Sequence, residues 1–160
     1  MKTGALVPDE LIIRMLQERL AQDDCKNGYI LDGFPRTVVQ AEALTASSIL
    51  PDYIVVLEVP AEVIIRRICG RLTHPASGRV YHEEFNPPIK PWCDDQTGEP
   101  LVRREDDNED AVSRRLDVFS AQTAPVIGYY ENLGAVPIIK LDGDRKSELV
   151  HKEIMSAIGG

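Results

Sequence analysis

Residues 29–40 read Tyr-Ile-Leu-Asp-Gly-Phe-Pro-Arg-Thr-Val-Val-Gln, and the organisation of the chain follows from them. Tyr29-Ile30-Leu31 is a short apolar run suited to a strand buried on both faces. It ends on Asp32-Gly33, a carboxylate beside a residue free to take any backbone conformation. Pro35 is expected to hold the next residues extended, with Arg36 projecting a rigid guanidinium fork. Thr37-Val38-Val39-Gln40 has capping-box spacing, which places a helix start at Thr37. Strand, acid, glycine turn, arginine and helix form the layout of a binding site at the carboxyl end of a parallel sheet. An ordinary strand–turn–helix connection has the same spacing, so the spacing alone does not decide between them.

On the N-terminal side, Pro8-Asp9-Glu10 carries proline and acids in a first helical turn. Leu11, Ile12, Met15, Leu16 and Leu20 recur at helical spacing and predict an amphipathic helix to about Asp23. On the other side a helix over Thr37–Ala46 leads to Pro51-Asp52 and the β-branched run Tyr53–Glu58, a second buried strand. Pro60-Ala61-Glu62 opens a helix to about Cys69, with Val63, Ile64, Ile65 and Ile68 inward. Asn108-Glu109-Asp110 starts a long helix bearing Val112, Leu116, Phe119 and Ile127, which Pro125 should kink. Val136–Leu141 is a third strand and Lys146–Ile158 a closing helix. Strands alternating with helices give an α/β fold. Between them, residues 72–107 are rich in Pro, Gly and acids and poor in apolar residues. They read as a small inserted β module, with residues 1–71 and 108–160 forming the core domain.

The 160-residue length allows one domain with an insertion. The net charge of −8 argues against nucleic acid as a partner. It leaves a small anionic ligand open, because local arginines set the field in a cleft. Cys25, Cys69 and Cys93 are scattered and odd in number, which points to reduced thiols and a cytoplasmic setting. No run has the length and apolarity to span a bilayer, so no membrane is expected as a partner.

Asp32-Gly33-Phe34-Pro35-Arg36-Thr37, with Gln40 beyond it, resembles the signature of the adenylate kinases, and the resemblance continues through almost the whole chain. It implies a P-loop-kinase-like parallel sheet with flanking helices, and substrates ATP, AMP and ADP. In that family the arginine holds the AMP phosphate and the glutamine reads the adenine, which transfers to Arg36 and Gln40. The acid, here Asp32, lies near the magnesium that arrives with ATP. Gly33, Phe34 and Pro35 match the loop around AMP, and Ala5, Leu6 and Val7 match backbone that faces it. Family members are usually monomeric and cytoplasmic.

The inserted module carries His74-x2-Ser77 and, after sixteen intervening residues, Asp94-x2-Thr97. This is the rhythm of a zinc knuckle with the wrong residue types, since structural zinc takes thiolate or imidazole and Cys93 is one position out of register. Long-lid adenylate kinases carry either zinc-binding cysteines there or a polar quartet joined by hydrogen bonds; this chain is similar to the second kind, with no zinc. Arg67 and Arg71 stand at the start of the module, and Arg104 and Arg115 at its return. Any one arginine is ordinarily a solvated surface charge, and cations after a helix also complement its C-terminus. Four at two hinges suit phosphoryl transfer, where guanidinium forks face oxygens whose charge shifts. By resemblance Arg71, Arg104 and Arg115 close over the phosphates, the last two also bordering AMP. Arg67, Val80, Tyr81 and the turn Gly143–Arg145 lie against ATP.

The family pattern also contains a strand and a Gly-rich loop, G-x-x-x-x-G-K, that cradles ATP phosphates. The match begins at Met1 already inside the AMP-binding part, so the sheet is expected to be incomplete. The missing strand would lie between Tyr29–Leu31 and Tyr53–Glu58. An adenylate kinase impaired as this chain alone is the expected function. A non-catalytic AMP-binding protein and a GTP:AMP phosphotransferase are the alternatives.

Overall fold

A computed structural model describes residues 9–159, with side chains for residues 11–159. The expectations for Ala5, Leu6 and Val7 lie outside the described residues. In chain order the elements are α1 (Asp9–Leu20), a 3-10 turn (Asp23–Cys25), α2 (Val38–Ala46), β1 (Ile54–Glu58), α3 (Ala61–Cys69), β2 (Arg71–Thr73) and β3 (Val80–His82). There follow α4 (Glu109–Val118), a π-turn (Phe119–Thr123), α5 (Ala124–Leu133), β4 (Ile138–Asp142) and α6 (Ser147–Ile158). The fold is mixed α/β. β1 and β4 pair in parallel: Ile54 N–H donates to Pro137 O at one end (2.9 Å) and Gly143 N–H to Glu58 O at the other (2.8 Å). The contacts divide the chain into two compact units, residues 9–54 with Phe119–Ile138, and Val55–Val118 with residues 139–159.

In the first unit the core is Ala41, Val126, Tyr130 and Val136, with Ile54, Tyr129 and Ile138 against it. Helix α2 begins where the sequence places it. Thr37 is its N-cap, extended, and its hydroxyl accepts the Gln40 N–H at 3.2 Å. α2 then buries Ala41 and Leu44 against α1 and α5. On α1 the inward residue is Ile13, flanked by half-buried Ile12 and Leu16, while Leu11 and Met15 are exposed. The 3.6-residue period allowed either face, and packing against α2 selected one.

Three further expectations are corrected. Tyr29–Leu31 forms no strand among the described residues, and Ile30 is 92% exposed. β-branched and aromatic composition favours a pleated, half-buried surface, but a strand needs a partner edge to take its N–H and C=O groups, and none of the described residues supplies one. For the same reason β1 is not buried on both faces; Val55 and Leu57 remain exposed. The kink expected at Pro125 is a wide π-turn, Phe119–Thr123, ahead of it. Proline has no N–H to donate and its ring collides with the carbonyl four residues back, so the α ladder opens before it.

The second unit contains α3 and α4 packed together, α6, and the β2–β3 module. β2 and β3 are antiparallel, with Arg71 opposite His82, Leu72 opposite Tyr81 and Thr73 opposite Val80. Isolated bridges tie Thr73 to Val102 and Cys93 to Pro100. Its hydrophobic centre is only Leu72, Tyr81 and Leu101, so polar bonds must carry much of its order.

Candidate functional site

The Asp32–Gln40 loop lies in the first unit and is built around Arg36. The Phe34–Pro35 peptide bond is cis. Gly33 has φ +70°, and a Cβ there would stand 2.9 Å from Arg36 Nη2. The backbone conformation therefore favours glycine, and a Cβ would push on the movable end of Arg36. Arg36 Nε donates to Gly33 O at 2.7 Å, Gln40 Oε1 accepts the Arg36 N–H at 2.8 Å, and Thr123 Oγ1 donates to the Arg36 carbonyl at 3.0 Å. The capping box is thus displaced by one residue: the glutamine reaches past Thr37 to Arg36. The guanidinium is exposed, and its two terminal nitrogens make no hydrogen bond among the described residues. Asp32 is exposed, while Phe34 and Pro35 are half-buried. A fork anchored at Nε with both Nη groups open is the geometry that grips a phosphate by two parallel bonds.

The other arginines singled out in the sequence lie in the second unit, and carboxylates engage several of them. Arg71 makes a bidentate pair with Asp107, at 2.9 and 2.5 Å; the aspartate side chain is wholly buried and the arginine side chain 28% exposed. The bond to Asp107 raises the Arg71 guanidinium further above its ordinary value, against burial. Arg115 pairs with the neighbouring Asp106. Arg67 donates to Gly143 O and Asp144 Oδ1, each at 2.9 Å, which joins it to the strand-end turn. Gly143 is crowded there, since a Cβ would fall 2.5 Å from Val59 Cγ2. Arg145 pairs with Glu153 at 2.8 Å. Arg104 is exposed, with no side-chain partner among the described residues.

A family model described as adenylate kinase matches residues 1–135. The chain belongs to the adenylate kinase family. That makes it a member of a family of phosphotransferases acting on nucleoside monophosphates, with nucleotides as substrates.

In this adenylate kinase family chain the β2–β3 module holds all four members of the polar quartet in one network. His74 Nδ1 meets Ser77 Oγ at 2.8 Å, and its Nε2 meets Glu99 Oε2 at 2.7 Å. Asp94, 1% exposed, accepts from Arg79 Nε and Nη2 (both 2.7 Å), Tyr81 OH (3.0 Å) and Thr97 Oγ1 and N–H (both 2.9 Å). Arg79 above all, then the Thr97 donors and Tyr81, hold its carboxyl far below the usual carboxylate range, against burial. Tyr81 is buried and its hydroxyl is committed to Asp94, whereas Val80 is half exposed. No group of three or more metal-ligating side chains is assembled among the described residues, and no helix there is long and apolar enough to cross a membrane.

Five residues escaped the sequence: Arg79, Glu99, Asp106, Asp107 and Thr123. Glu105-Asp106-Asp107 follows directly on Arg103-Arg104, an acidic run after a basic pair that could have flagged an ion pair, but nothing local says that Asp107 meets an arginine 36 positions away. Arg79, two residues after Ser77, was the nearest legible signal in the module.

Proposed function

We propose that this chain is an adenylate kinase of the long-lid, zinc-free type, with residues 72–107 as its lid. The reaction moves the γ-phosphoryl group of ATP·Mg to AMP: the bond from γ-phosphorus to the bridging oxygen breaks, a bond to an AMP phosphate oxygen forms, and two ADP result. Arg36 grips the AMP phosphate and Gln40 reads the adenine, with Gly33, Phe34 and Pro35 shaping the loop. Arg71, Arg104 and Arg115 stabilise the transferring group, and Arg67, Val80, Tyr81 and Arg145 serve ATP. Asp32, which makes no ion pair among the described residues, orients the waters of the magnesium that ATP brings. The observation that carries this reading is the open fork of Arg36, fixed at Nε by Gly33 O. The 160 residues contain no G-x-x-x-x-G-K sequence, so by itself the chain is a poor catalyst that retains AMP binding. That same observation favours a second reading, AMP binding without turnover; with the loop supplied, GTP in place of ATP tests the donor.

Calorimetric titration with AMP tests the site. Hydrogen bonds to charged groups are worth about 1.5–3 kcal/mol, so Arg36→Ala should bind AMP at least about tenfold more weakly. Equal affinities for variant and parent would remove Arg36 from the site.

A further inference from the structure

Arg36 is held by its backbone as well as by its side chain. Gln40 takes its N–H, and Thr123, 87 positions later but in the same compact unit, donates to its carbonyl. Thr123 is the N-cap of α5, where a threonine hydroxyl ordinarily accepts a helix N–H. It makes no capping bond of that kind. Pro125, inside the first turn, has no N–H to offer, and the hydroxyl is spent on Arg36 instead. The π-turn Phe119–Thr123 ends on this residue, so the wide turn that proline imposes also sets where the hydroxyl lies.

We infer that Thr123 is a positioning residue for Arg36: its bond to the Arg36 carbonyl, with that of Gln40 to the N–H, fixes the backbone from which the guanidinium meets the AMP phosphate. The inference rests on the reading of Arg36 as the phosphate-holding residue. Thr123 does not contact the nucleotide itself. An exposed arginine has many rotamers, and anchoring the backbone on both sides of its Cα removes a large share of the directions its fork can take. The loss of one neutral hydrogen bond that acts only through this geometry corresponds to about fivefold in affinity.

The test is calorimetric titration of the full chain with AMP and with adenosine, which lacks the phosphate. Parent, Thr123→Val, Thr123→Ser and Arg36→Ala are compared. Thr123→Val keeps the shape and removes the donor; it should lower AMP affinity about fivefold, leave adenosine unchanged, and be rescued by Thr123→Ser. AMP affinity equal to the parent in Thr123→Val, or an equal loss for AMP and adenosine, overturns the inference while a large loss in Arg36→Ala leaves the site standing. An Arg36→Ala chain that binds AMP as the parent does overturns the site and the inference together. Should Thr123→Val fail to fold, Thr123→Ala against Thr123→Ser carries the same decision.

Discussion

Replacing Asp107 by asparagine should destabilise the chain and couple strongly to Arg71. The Asp107 side chain is wholly buried and takes two bonds from Arg71, at 2.9 and 2.5 Å. Removing one partner of a fully buried ion pair costs about 3–5 kcal/mol, because the other charge is left uncompensated. Arg71 keeps 28% of its side-chain surface in water, and asparagine can still accept one bond. Both reduce the cost to about 2–3 kcal/mol. Urea denaturation of the parent, Asp107→Asn, Arg71→Ala and the double variant measures it as a cycle, with an expected coupling of about 2 kcal/mol. A coupling below about 0.5 kcal/mol, the ordinary value for an exposed pair, would refute the view that burial makes this contact matter. On the proposed reading of Arg71 as a phosphate-contacting residue, Asp107 would hold it in place before nucleotide arrives.

Gly33→Ala should cost about 1–2 kcal/mol in stability, from the left-handed backbone alone, and should also weaken AMP binding by pushing on Arg36 Nη2; unchanged melting and affinity would contradict the loop geometry. Asp94 gives a pH dependence. Its carboxyl is depressed in the folded state, so its contribution is complete above the ordinary carboxylate value near pH 4 and is withdrawn as pH falls below it. Melting temperature should therefore drop between about pH 5 and 2, and Asp94→Asn should flatten that slope; parallel slopes would dissociate Asp94 from it. Purified protein should contain no zinc, because Ser77 and Thr97 are hydroxyl residues already bonded to His74 and Asp94. Stoichiometric zinc on elemental analysis would sink this account of the quartet.

What was legible in the sequence was whatever local chemistry decides. Thr37 as a cap, Pro60 ahead of α3, and the β-branched runs that became β1 and β4 all depend on residues within one turn or one strand. The Asp32–Gln40 signature also placed the open arginine, because the glycine, the fork and the cap are neighbours. Tyr29–Leu31 failed as a strand because strand formation depends on a partner that no local pattern specifies. The exposed faces of Leu11 and Met15 failed for a related reason: periodicity gives a helix two plausible inner faces and packing chooses one. The partners of Arg71, Arg67 and Arg36 at Asp107, Asp144 and Thr123 are 36, 77 and 87 positions away. Charge composition announces that such pairs exist without saying which carboxylate finds which arginine. His74 and Asp94 were visible as a rhythm, but Arg79 and Glu99, which complete their bonding, fall outside it.

The most direct test of the proposed chemistry is ADP formation from ATP and AMP, measured in a coupled assay on the 160-residue chain and on the same chain fused to a family-type Gly-rich phosphate loop segment. Phosphoryl transfer is mostly positioning and charge stabilisation, and losing even one preorganised donor costs about 10²–10³ in rate. The account predicts negligible turnover by the chain alone, robust turnover by the fusion, and loss of that turnover in Arg71→Ala. Robust turnover by the chain alone, abolished by Arg71→Ala so that no contaminating kinase explains it, would contradict the account, as would a folded fusion that binds both nucleotides and forms no ADP.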